Sequence, residues 1–517
     1  MRSAIHTPGL IRPGLLEKAV PTYARATWLF LRLLGLVYLI AFWSLGVQIR
    51  GLVGHDGILP ADQYMAGARA LTGLSRFWLL PTLAWVSTSD GFLQGLCIAG
   101  GALASLLVAG IMPSAVLPLL WLIYLSLSIV CRDFLGFQWD TLLLETGFLA
   151  IFLAPLTRRE RLRNLVDPPR VAVWLMLWLL FRLMVGSGAV KLTSGDPAWR
   201  NLTALAFHFE TQPIPTPVAW YAHRLPLWVL KASTIVMFAI EICVPFLIVA
   251  PRRLRALAFV PLVGFQALIA LTGNYAFFNL LTAALCLFLL DDTALGDVGR
   301  VLSDPALRRV QKDPPYAGTG VAQVFRPRVR GALVLAVAVV TVPVSAIEFT
   351  GALGIGLPGA ALIDPLANVI APFRSVNAYG LFAVMTTTRL EIILEGSEDG
   401  AAWVEYEFRY KAGDAHRRPP WVAPHQPRLD WQMWFAALGR FDDNEWFQNF
   451  CVRLLEADGE VLRLLERDPF QGRKPRYIRA VLYRYRFSDA ETGKRDGVWW
   501  TRERSGEYSP VLSLSGK

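Results

Sequence analysis

Residues 27–49 read TWLFLRLLGLVYLIAFWSLGVQI and carry a single charged side chain, Arg32. About 20 apolar residues are enough for a helix to cross the hydrocarbon core of a bilayer. The run also exceeds the apolar core of a cleaved signal peptide, which has about 7–15 residues. This stretch therefore predicts a signal anchor, with residues 1–26 as a cytoplasmic N-terminal segment.

The same length requirement selects eight further apolar runs along the chain. They cover residues 90–112, 114–131, 140–156, 171–190, 229–250, 255–272, 276–290 and 331–350. We expect a polytopic α-helical membrane protein with about eight to nine transmembrane helices. The short runs 140–156 and 276–290 are either spans or helices that are tilted, re-entrant or buried against their neighbours. Composition agrees, because 54% of the residues are hydrophobic and only 18% are charged, which excludes a soluble enzyme.

Basic residues predict the orientation of these helices. The formal net charge is +11, and residues 1–373 hold 29 Lys and Arg against 19 Asp and Glu, so the surplus lies in the membrane half and does not indicate a nucleic-acid surface. Three Arg-rich connections, near 158–170, 252–255 and 300–330, belong in the cytoplasm by the positive-inside rule. The prediction is a membrane domain over 27–350 with external loops 50–89 and 191–228, a connector over 351–373, and an extracytoplasmic domain over 374–517.

The pattern changes after Pro372 to that of a water-soluble domain. Residues 384–394 alternate, and a loop at 396–400 leads into a second alternating stretch around 403–408, which predicts a β-hairpin. Residues 446–465 have helical spacing and residues 477–487 alternate again. The tail is therefore predicted to be an α+β, β-rich domain.

The loop after the fifth predicted span crowds polar residues against aromatic ones at a membrane boundary. An amphipathic re-entrant helix and a substrate or partner site both fit this composition. The residues that we single out as a functional loop are Asp196, Trp199, Arg200, Thr203, His208, Glu210, Thr211, Gln212 and Pro213.

Ionisable residues inside apolar runs are costly and indicate function or pairing. Asp140, Glu145, Arg182 and Glu241 are such residues, and we predict an intramembrane polar cluster in which Arg182 is paired with Glu145 or Glu241. Lys191 lies at the outer end of its run. It either extends its amine to water or acts, partly desolvated, as a base beside His208.

Catalytic and metal motifs are missing from the sequence. It contains no G-x-S-x-G, H-E-x-x-H or G-x-x-x-x-G-K-[ST] motif, and its six histidines form no spaced metal pair. We predict no metal site, no cofactor and no favoured catalytic residue.

Longer segments resemble a known family. Residues 137–148 (FQWDTLLLETGF) and the run 196–213 are similar to signature segments of the lipase maturation factor family. The tail continues the similarity at 403–408, 417–419, 428–437, 444–446, 468–472, 483–487 and 499–500. The animal members are endoplasmic-reticulum proteins needed for the folding and assembly of dimeric secreted lipases. The resemblance implies a chaperone-like membrane-anchored maturation factor whose partners are membrane lipids and an exported client protein such as a lipase.

Composition and resemblance together predict a location and a client-binding surface. The Arg-, Ala-, Leu- and Pro-rich usage suggests a bacterial relative in the cytoplasmic membrane, with the C-terminal domain outside, or in the lumen of the endoplasmic reticulum if the source is eukaryotic. The residues assigned to the client-facing surface of that domain are Arg428, Asp430, Trp431, Trp434 and Trp446, although the tryptophans of the tail fit either a binding face or the core of the domain.

A fainter similarity supports an alternative. Residues 188–199 and 54–60 resemble parts of the membrane domain of vitamin K-dependent gamma-carboxylases, in which the residue matching Lys191 is a catalytic base. The alternative is a membrane-embedded enzyme that uses Lys191 and His208 as acid/base groups on a lipid-like or protein substrate, with an unidentified lipid or quinone-like ligand. A transporter is a third hypothesis, although the two halves of the membrane region show no internal similarity.

Overall fold

The computed structural model describes residues 21–162, 165–296 and 322–514, and the side chains of 322–328 are outside the description. The predicted cytoplasmic segment 1–26 lies mostly outside these residues, and so does most of the basic connection 300–330. Nine helices of the described part form the membrane bundle. They are α1 (Ala24–Gly46), α2 (Asp90–Val108), α3 (Pro113–Val130), α4 (Gln138–Leu153), α5 (Arg170–Thr193), α6 (Leu227–Val249), α7 (Arg252–Thr272), α8 (Phe278–Leu289) and α9 (Ala322–Ala352).

Seven of these helices are long and apolar enough to cross a membrane: α1, α2, α3, α5, α6, α7 and, from Val329 onward, α9. They coincide with seven of the nine runs predicted from sequence. The other two runs are the short ones. They form α4, which has 16 residues and an almost wholly buried surface, and α8, which is similarly buried. Because neighbouring protein covers both helices, neither needs the length of a lipid-exposed span.

Helix α6 changes its winding at Glu241. A π-helical turn over Ala239–Cys243 follows the α-helical part Leu227–Phe238 and precedes a 3₁₀ segment, Val244–Val249. Pro245 has no backbone N–H to donate to the carbonyl four residues earlier, so the regular ladder cannot continue through this point. Such turns occur often at functional positions, because they redirect one side chain.

The loop 191–228, which the sequence predicts to be external, folds into three short helices, Pro197–Arg200, Ala204–Thr211 and Pro217–Ala222. The loop 50–89 contains Ala61–Thr72 as its longest helix. Beyond α9, the chain forms α10 (Ala360–Ile370) and a short 3₁₀ turn, Ala371–Phe373.

The C-terminal domain is built on a four-stranded antiparallel sheet. Its strands are β1 (Arg389–Ser397), β2 (Val404–Glu405), β3 (Tyr477–Phe487) and β4 (Trp500–Glu507), in the order β2-β1-β3-β4. The predicted hairpin is confirmed as the β1–β2 pair, with Glu395 opposite Glu405, although β1 begins at residue 389 and not at 384. Helices α11 (Arg428–Ala436) and α12 (Glu445–Glu456) pack with this sheet.

One hydrophobic core runs through both parts of the chain. The same cluster of buried residues contains Phe137 and Trp139, at the start of α4, and Trp431 of α11. The ring centroids of Trp139 and Trp431 are 4.7 Å apart, and those of Phe137 and Trp431 are 5.8 Å apart. The C-terminal domain is therefore seated on one end of the bundle through shared aromatic packing.

Candidate functional site

The ionisable residues predicted inside the membrane region form buried pairs, and the first of these pairs lies where the bundle contacts the C-terminal domain. Asp140, in the first turn of α4, receives two hydrogen bonds of 2.9 Å from the guanidinium of Arg428 in α11. Neither side chain is exposed. The phenol of Tyr124 also donates to Asp140, and Arg428 donates to the carbonyl of Phe134 at 2.6 Å. This buried pair joins the bundle to the C-terminal domain.

Glu145 and Arg182 form a second buried pair, which is one of the two pairings that the sequence left open for Arg182. The chain that follows the connector completes it. Glu145 accepts a hydrogen bond from the backbone N–H of Asn377 at 2.9 Å and from the phenol of Tyr379 at 2.7 Å, and Arg182 donates to the carbonyl of Asn377 at 3.0 Å. Gly186 on α5 makes room, because a Cβ at this position would lie 2.6 Å from the carbonyl oxygen of Tyr379.

Glu241 does not join this cluster, which corrects the prediction of one polar group. The Nζ of Lys191 donates to both carboxylate oxygens of Glu241, at 2.8 and 2.7 Å, and both side chains are buried. Lys191 therefore does not extend to water as proposed from its position, because the π turn of α6 brings Glu241 within reach. Gly188 permits the approach, since a Cβ there would lie 2.9 Å from the Cβ of Glu241. The amine also lies 5.4 Å from the ring centroid of Trp199.

The first part of the predicted functional loop is fastened to the chain that precedes β1. Asp196 caps Pro197–Arg200 by accepting the N–H of Ala198 at 2.8 Å, and its second oxygen accepts the N–H of Met385. The indole of Trp199 donates to the carbonyl of Phe382 at 2.9 Å. Of the two remaining predicted residues here, Thr203 bonds the carbonyl of Ala198 at 3.4 Å and Arg200 is exposed.

The second part of the loop is held by Arg389, the first residue of β1. Its guanidinium donates to the backbone carbonyls of Glu210, Gln212 and Pro213, at 2.7, 2.6 and 2.9 Å. Its remaining partner is the carboxylate of Glu391, which also pairs with Lys411 at 2.9 Å. A three-carbonyl contact of this kind fixes the loop on the sheet, because each bond to a charged donor is worth about 1.5–3 kcal/mol.

Further contacts tie the same loop to the domain. The indole of Trp434 donates to the carbonyl of Thr211 at 2.8 Å, and the carboxylate of Glu210 accepts the N–H of Phe487 at 2.8 Å. The segment from Asp196 to Pro213, which resembles a family signature, therefore mainly makes contacts with the C-terminal domain.

His208 lies inside this contact region. Its Nε2 is 3.3 Å from the phenol oxygen of Tyr275, which donates to Gln212 at 2.8 Å, and its ring packs edge-on against Phe382 at 4.9 Å. Burial, helped by the positive charge of Lys191, lowers the pKa of His208 to about 4. The imidazole is therefore neutral at neutral pH.

The residues assigned from sequence to the surface of the C-terminal domain are not on its surface. Arg428, Asp430, Trp431, Trp434 and Trp446 are each less than 9% exposed. The prediction is wrong because four of these side chains face the bundle or the loop 191–228, where Trp446 packs against Phe134 and Trp434 bonds Thr211, whereas Asp430 points into the C-terminal domain. Burial raises the pKa of Asp430, whose carboxylate accepts the N–H groups of Tyr410 and Lys411.

Several residues of this interface were missed from the sequence. Asn274 donates to the carbonyl of Pro420 and accepts the N–H groups of Val422 and Ala423, which links the loop between α7 and α8 to the domain. In the sequence, Asn274 is a polar residue between two apolar runs, and this position is the feature that could have identified it as a contact residue. Arg389 had a comparable signal, because it shares a face with Glu391 and Glu395 in a strand whose other face begins with Leu390, Ile392 and Leu394.

Comparison with known proteins covers both parts of the chain. The family model described as the lipase maturation factor transmembrane domain matches residues 25–297, and the one described as the lipase maturation factor C-terminal domain matches residues 375–510. No solved structure matches the chain.

Curated relatives extend the match over almost the full length. Lipase maturation factor 2 from Gallus gallus is 39% identical over 94% of this chain and 81% of its own length. Lipase maturation factor 2 from Homo sapiens is 38% identical over 94% and 82%, and lipase maturation factor 1 from Mus musculus is 35% identical over 99% and 92%. The chain thus belongs to the lipase maturation factor family.

Proposed function

We propose that this protein is a membrane-held maturation factor that assists the folding or assembly of an exported protein, and that the client is a lipase. Family membership over both the transmembrane and the C-terminal parts carries this proposal. The relatives are named lipase maturation factors, which supplies the class of client.

The buried contacts support a binding role more than a chemical one. Asp140, Glu145 and Glu241 are each neutralised by a basic partner within the protein. A charge that is held in such a pair is already stabilised and serves to position the two elements that carry it. The C-terminal domain is thereby held at one end of the bundle, at the membrane surface where an exported chain emerges.

Exposed apolar side chains near α11 offer a place for the client. Phe435, the penultimate residue of α11, is 45% exposed, and Leu438, in the turn that follows the helix, is 49% exposed. The backbone N–H of Leu438 donates to the carbonyl of Phe435 at 3.0 Å, so the two residues are close together. Trp421 is a further exposed aromatic residue of the domain. We propose that Phe435 and Leu438 contact apolar segments of the incompletely folded client.

The orientation follows from the basic connections. The proposal places the C-terminal domain outside the cytoplasm, in the periplasmic space of a bacterium or the lumen of the endoplasmic reticulum, since arginine-rich loops remain on the cytoplasmic side.

Co-expression with a secreted lipase tests this function. Active lipase and crosslinked complex are measured for the native chain, for the Phe435→Ser/Leu438→Ser double variant and for Val404→Ser, a matched loss of an exposed apolar side chain in β2. We expect about tenfold less complex for the double variant, the effect of losing about 1.4 kcal/mol of binding free energy, and no change for Val404→Ser. Equal lipase maturation with and without this protein would contradict the proposed function.

A further inference from the structure

Two segments at the end of the bundle that contacts the C-terminal domain are unusually apolar. Residues 71–86 contain Arg76 as their single ionisable side chain, and residues 351–373 contain only Asp364. The first belongs to the predicted external loop 50–89 and the second is the predicted connector. A segment of this composition is poorly suited to an aqueous surface.

The two segments contact each other and form one surface. The indole of Trp78 donates to the carbonyl of Val369 at 3.0 Å, and its ring packs edge-on against Phe373 at 4.9 Å. Large apolar side chains of both segments are nevertheless exposed, with Leu71 at 87%, Leu74 at 84% and Leu362 at 86%. Contiguous exposed apolar surface indicates an interaction site.

Contacts with α3 place this surface alongside the membrane helices. Phe373 stacks on Trp121 at 6.4 Å, and Trp121 packs on Phe148 of α4 at 5.6 Å. Trp121 lies nine residues before Val130, which is about 14 Å along the helix at 1.5 Å per residue. Phe373 therefore packs about 14 Å back from the end of α3, a distance of roughly half the thickness of a hydrocarbon core that is about 30 Å thick.

The loop 71–86 returns to the same helix at a shallower level. The hydroxyl of Thr82 donates to the carbonyl of Ser126 at 3.1 Å, and the hydroxyl of Ser126 accepts the N–H of Leu83 at 3.0 Å. Ser126 is four residues before Val130, which is about 6 Å along the helix. Both segments thus descend beside α3.

Helix α10 has the pattern of a helix that lies in a membrane interface. Leu362, Leu366 and Val369 follow one another at spacings of four and three residues and are all exposed, so they form one apolar side. Asp364 lies on the opposite side, about 200° around the helix from Leu362 at 100° per residue. Such a helix lies with its apolar side in the acyl-chain boundary and its polar side toward water.

We propose that residues 71–86 and 351–373 form a platform embedded in the membrane leaflet nearest the C-terminal domain, with lipid acyl chains as its occupant. The connector is then a re-entrant membrane element that carries the chain into the Glu145–Arg182 contact. Continuity with the lipid-exposed spans and the depth of Phe373 favour lipid over a protein partner. The inference goes beyond the proposed function and does not depend on the client.

Spin-label accessibility in reconstituted vesicles tests the platform. Nitroxides are placed on the full chain by Leu74→Cys, by Leu362→Cys and, as an exposed control in β4, by Glu503→Cys. The background is Cys243→Ser, because Cys243 is exposed whereas the other four cysteines are buried. We expect the first two labels to be more accessible to oxygen than to a water-soluble nickel chelate, and the control to show the reverse order.

Two results would overturn the proposal. Labels at 74 and 362 that behave like the label at 503 would place the platform in water. Labels shielded from both reagents would show that protein covers it, either a second copy or a partner. If labelling at 362 lowers the thermal midpoint, Leu366→Cys provides the same measurement on the same side of α10.

Discussion

Asp140 and Arg428 lie 288 residues apart in the chain, yet their side chains meet through two hydrogen bonds of 2.9 Å with neither exposed. Asp140 belongs to the membrane bundle and Arg428 to the C-terminal domain. Their pairing makes the orientation of the domain on the bundle part of the fold itself.

Removal of one partner of this pair should strongly destabilise the protein. Arg428→Met leaves the Asp140 carboxylate buried without a counter-charge, and we expect a loss of about 3–5 kcal/mol in the free energy of unfolding. Thermal unfolding of the detergent-solubilised chain measures the effect. Arg495→Met, which breaks an exposed pair with Asp496, should have a much smaller effect because solvent screens that pair. Equal effects of the two changes would contradict a stabilising role for the buried contact.

The C-terminal domain should not reach its native packing without the bundle. Trp431 and Trp434 are buried by residues of the bundle and of the loop 191–228, so in a fragment of residues 375–517 they would face water. We expect this fragment to bind a hydrophobic dye and to be cleaved by protease under conditions in which the full chain is resistant. A fragment that unfolds cooperatively and resists protease would show that the shared core is dispensable.

Substitutions in the Lys191–Glu241 pair can distinguish a positioning role of Lys191 from a chemical role. Lys191→Met alone should destabilise by about 3–5 kcal/mol because it leaves Glu241 buried and unpaired. The double variant Lys191→Met/Glu241→Gln removes both charges, and we expect it to recover most of this stability and to keep client maturation. A double variant with native stability and no maturation activity would instead indicate that the amine of Lys191 takes part in chemistry.

A methyl group at Gly186 should interfere with the chain that enters the bundle. A Cβ there meets the carbonyl oxygen of Tyr379 at 2.6 Å, so Gly186→Ala is expected to cost about 1–3 kcal/mol through overpacking. Gly264, in the middle of α7, has no atom within 4 Å of the position that a Cβ would occupy. Gly264→Ala should therefore be neutral or stabilise by about 0.5–1 kcal/mol, since alanine favours the helix. Matched thermal midpoints of the two variants would contradict the close contact.

The free energy of unfolding should decrease as the pH falls from about 6.5 to 4. Burial, with Arg428 and Arg409 nearby, lowers the pKa of His425 from its ordinary value of 6.5 to about 4, and the pKa of His208 is lowered similarly. A depressed pKa means that the folded state disfavours protonation, so this stability is fully present above about pH 6.5 and is lost as the pH falls toward 4.

The pH dependence can be assigned by substitution. His425→Gln should flatten the fall in unfolding free energy between pH 6.5 and 4, leaving the part due to His208. An unchanged slope in His425→Gln would show that His425 does not contribute to it.

Local hydrophobic pattern identified most of the helices and strands. Runs near 27–49 and 171–190 became α1 and α5, and the alternation over 477–487 became β3. These helices and strands depend only on residues that are close together in the sequence, so they can be predicted from the sequence. The pairing of Glu145 with Arg182 was one of two that the sequence left open, because a buried charge needs a partner of opposite sign.

The predictions that failed are those that depend on which face of a helix is packed against the rest of the protein. Trp431 and Trp446 were assigned to the surface, since a tryptophan at helical spacing fits a binding face or a core equally well. Glu241 was grouped with Arg182 because regular helix geometry does not foresee the π turn that directs it to Lys191.

The sequence by itself determined that this chain is a membrane protein of the lipase maturation factor family with an α+β tail, because hydropathy and family motifs are properties of contiguous residues. Only the tertiary structure decided that the tail is seated on the bundle through Asp140–Arg428, Glu145 with Asn377 and Tyr379, and Arg389 with the loop 191–228. The physical reason is that a buried charge requires a partner but does not specify it, and the choice is made by the packing of elements that lie hundreds of residues apart.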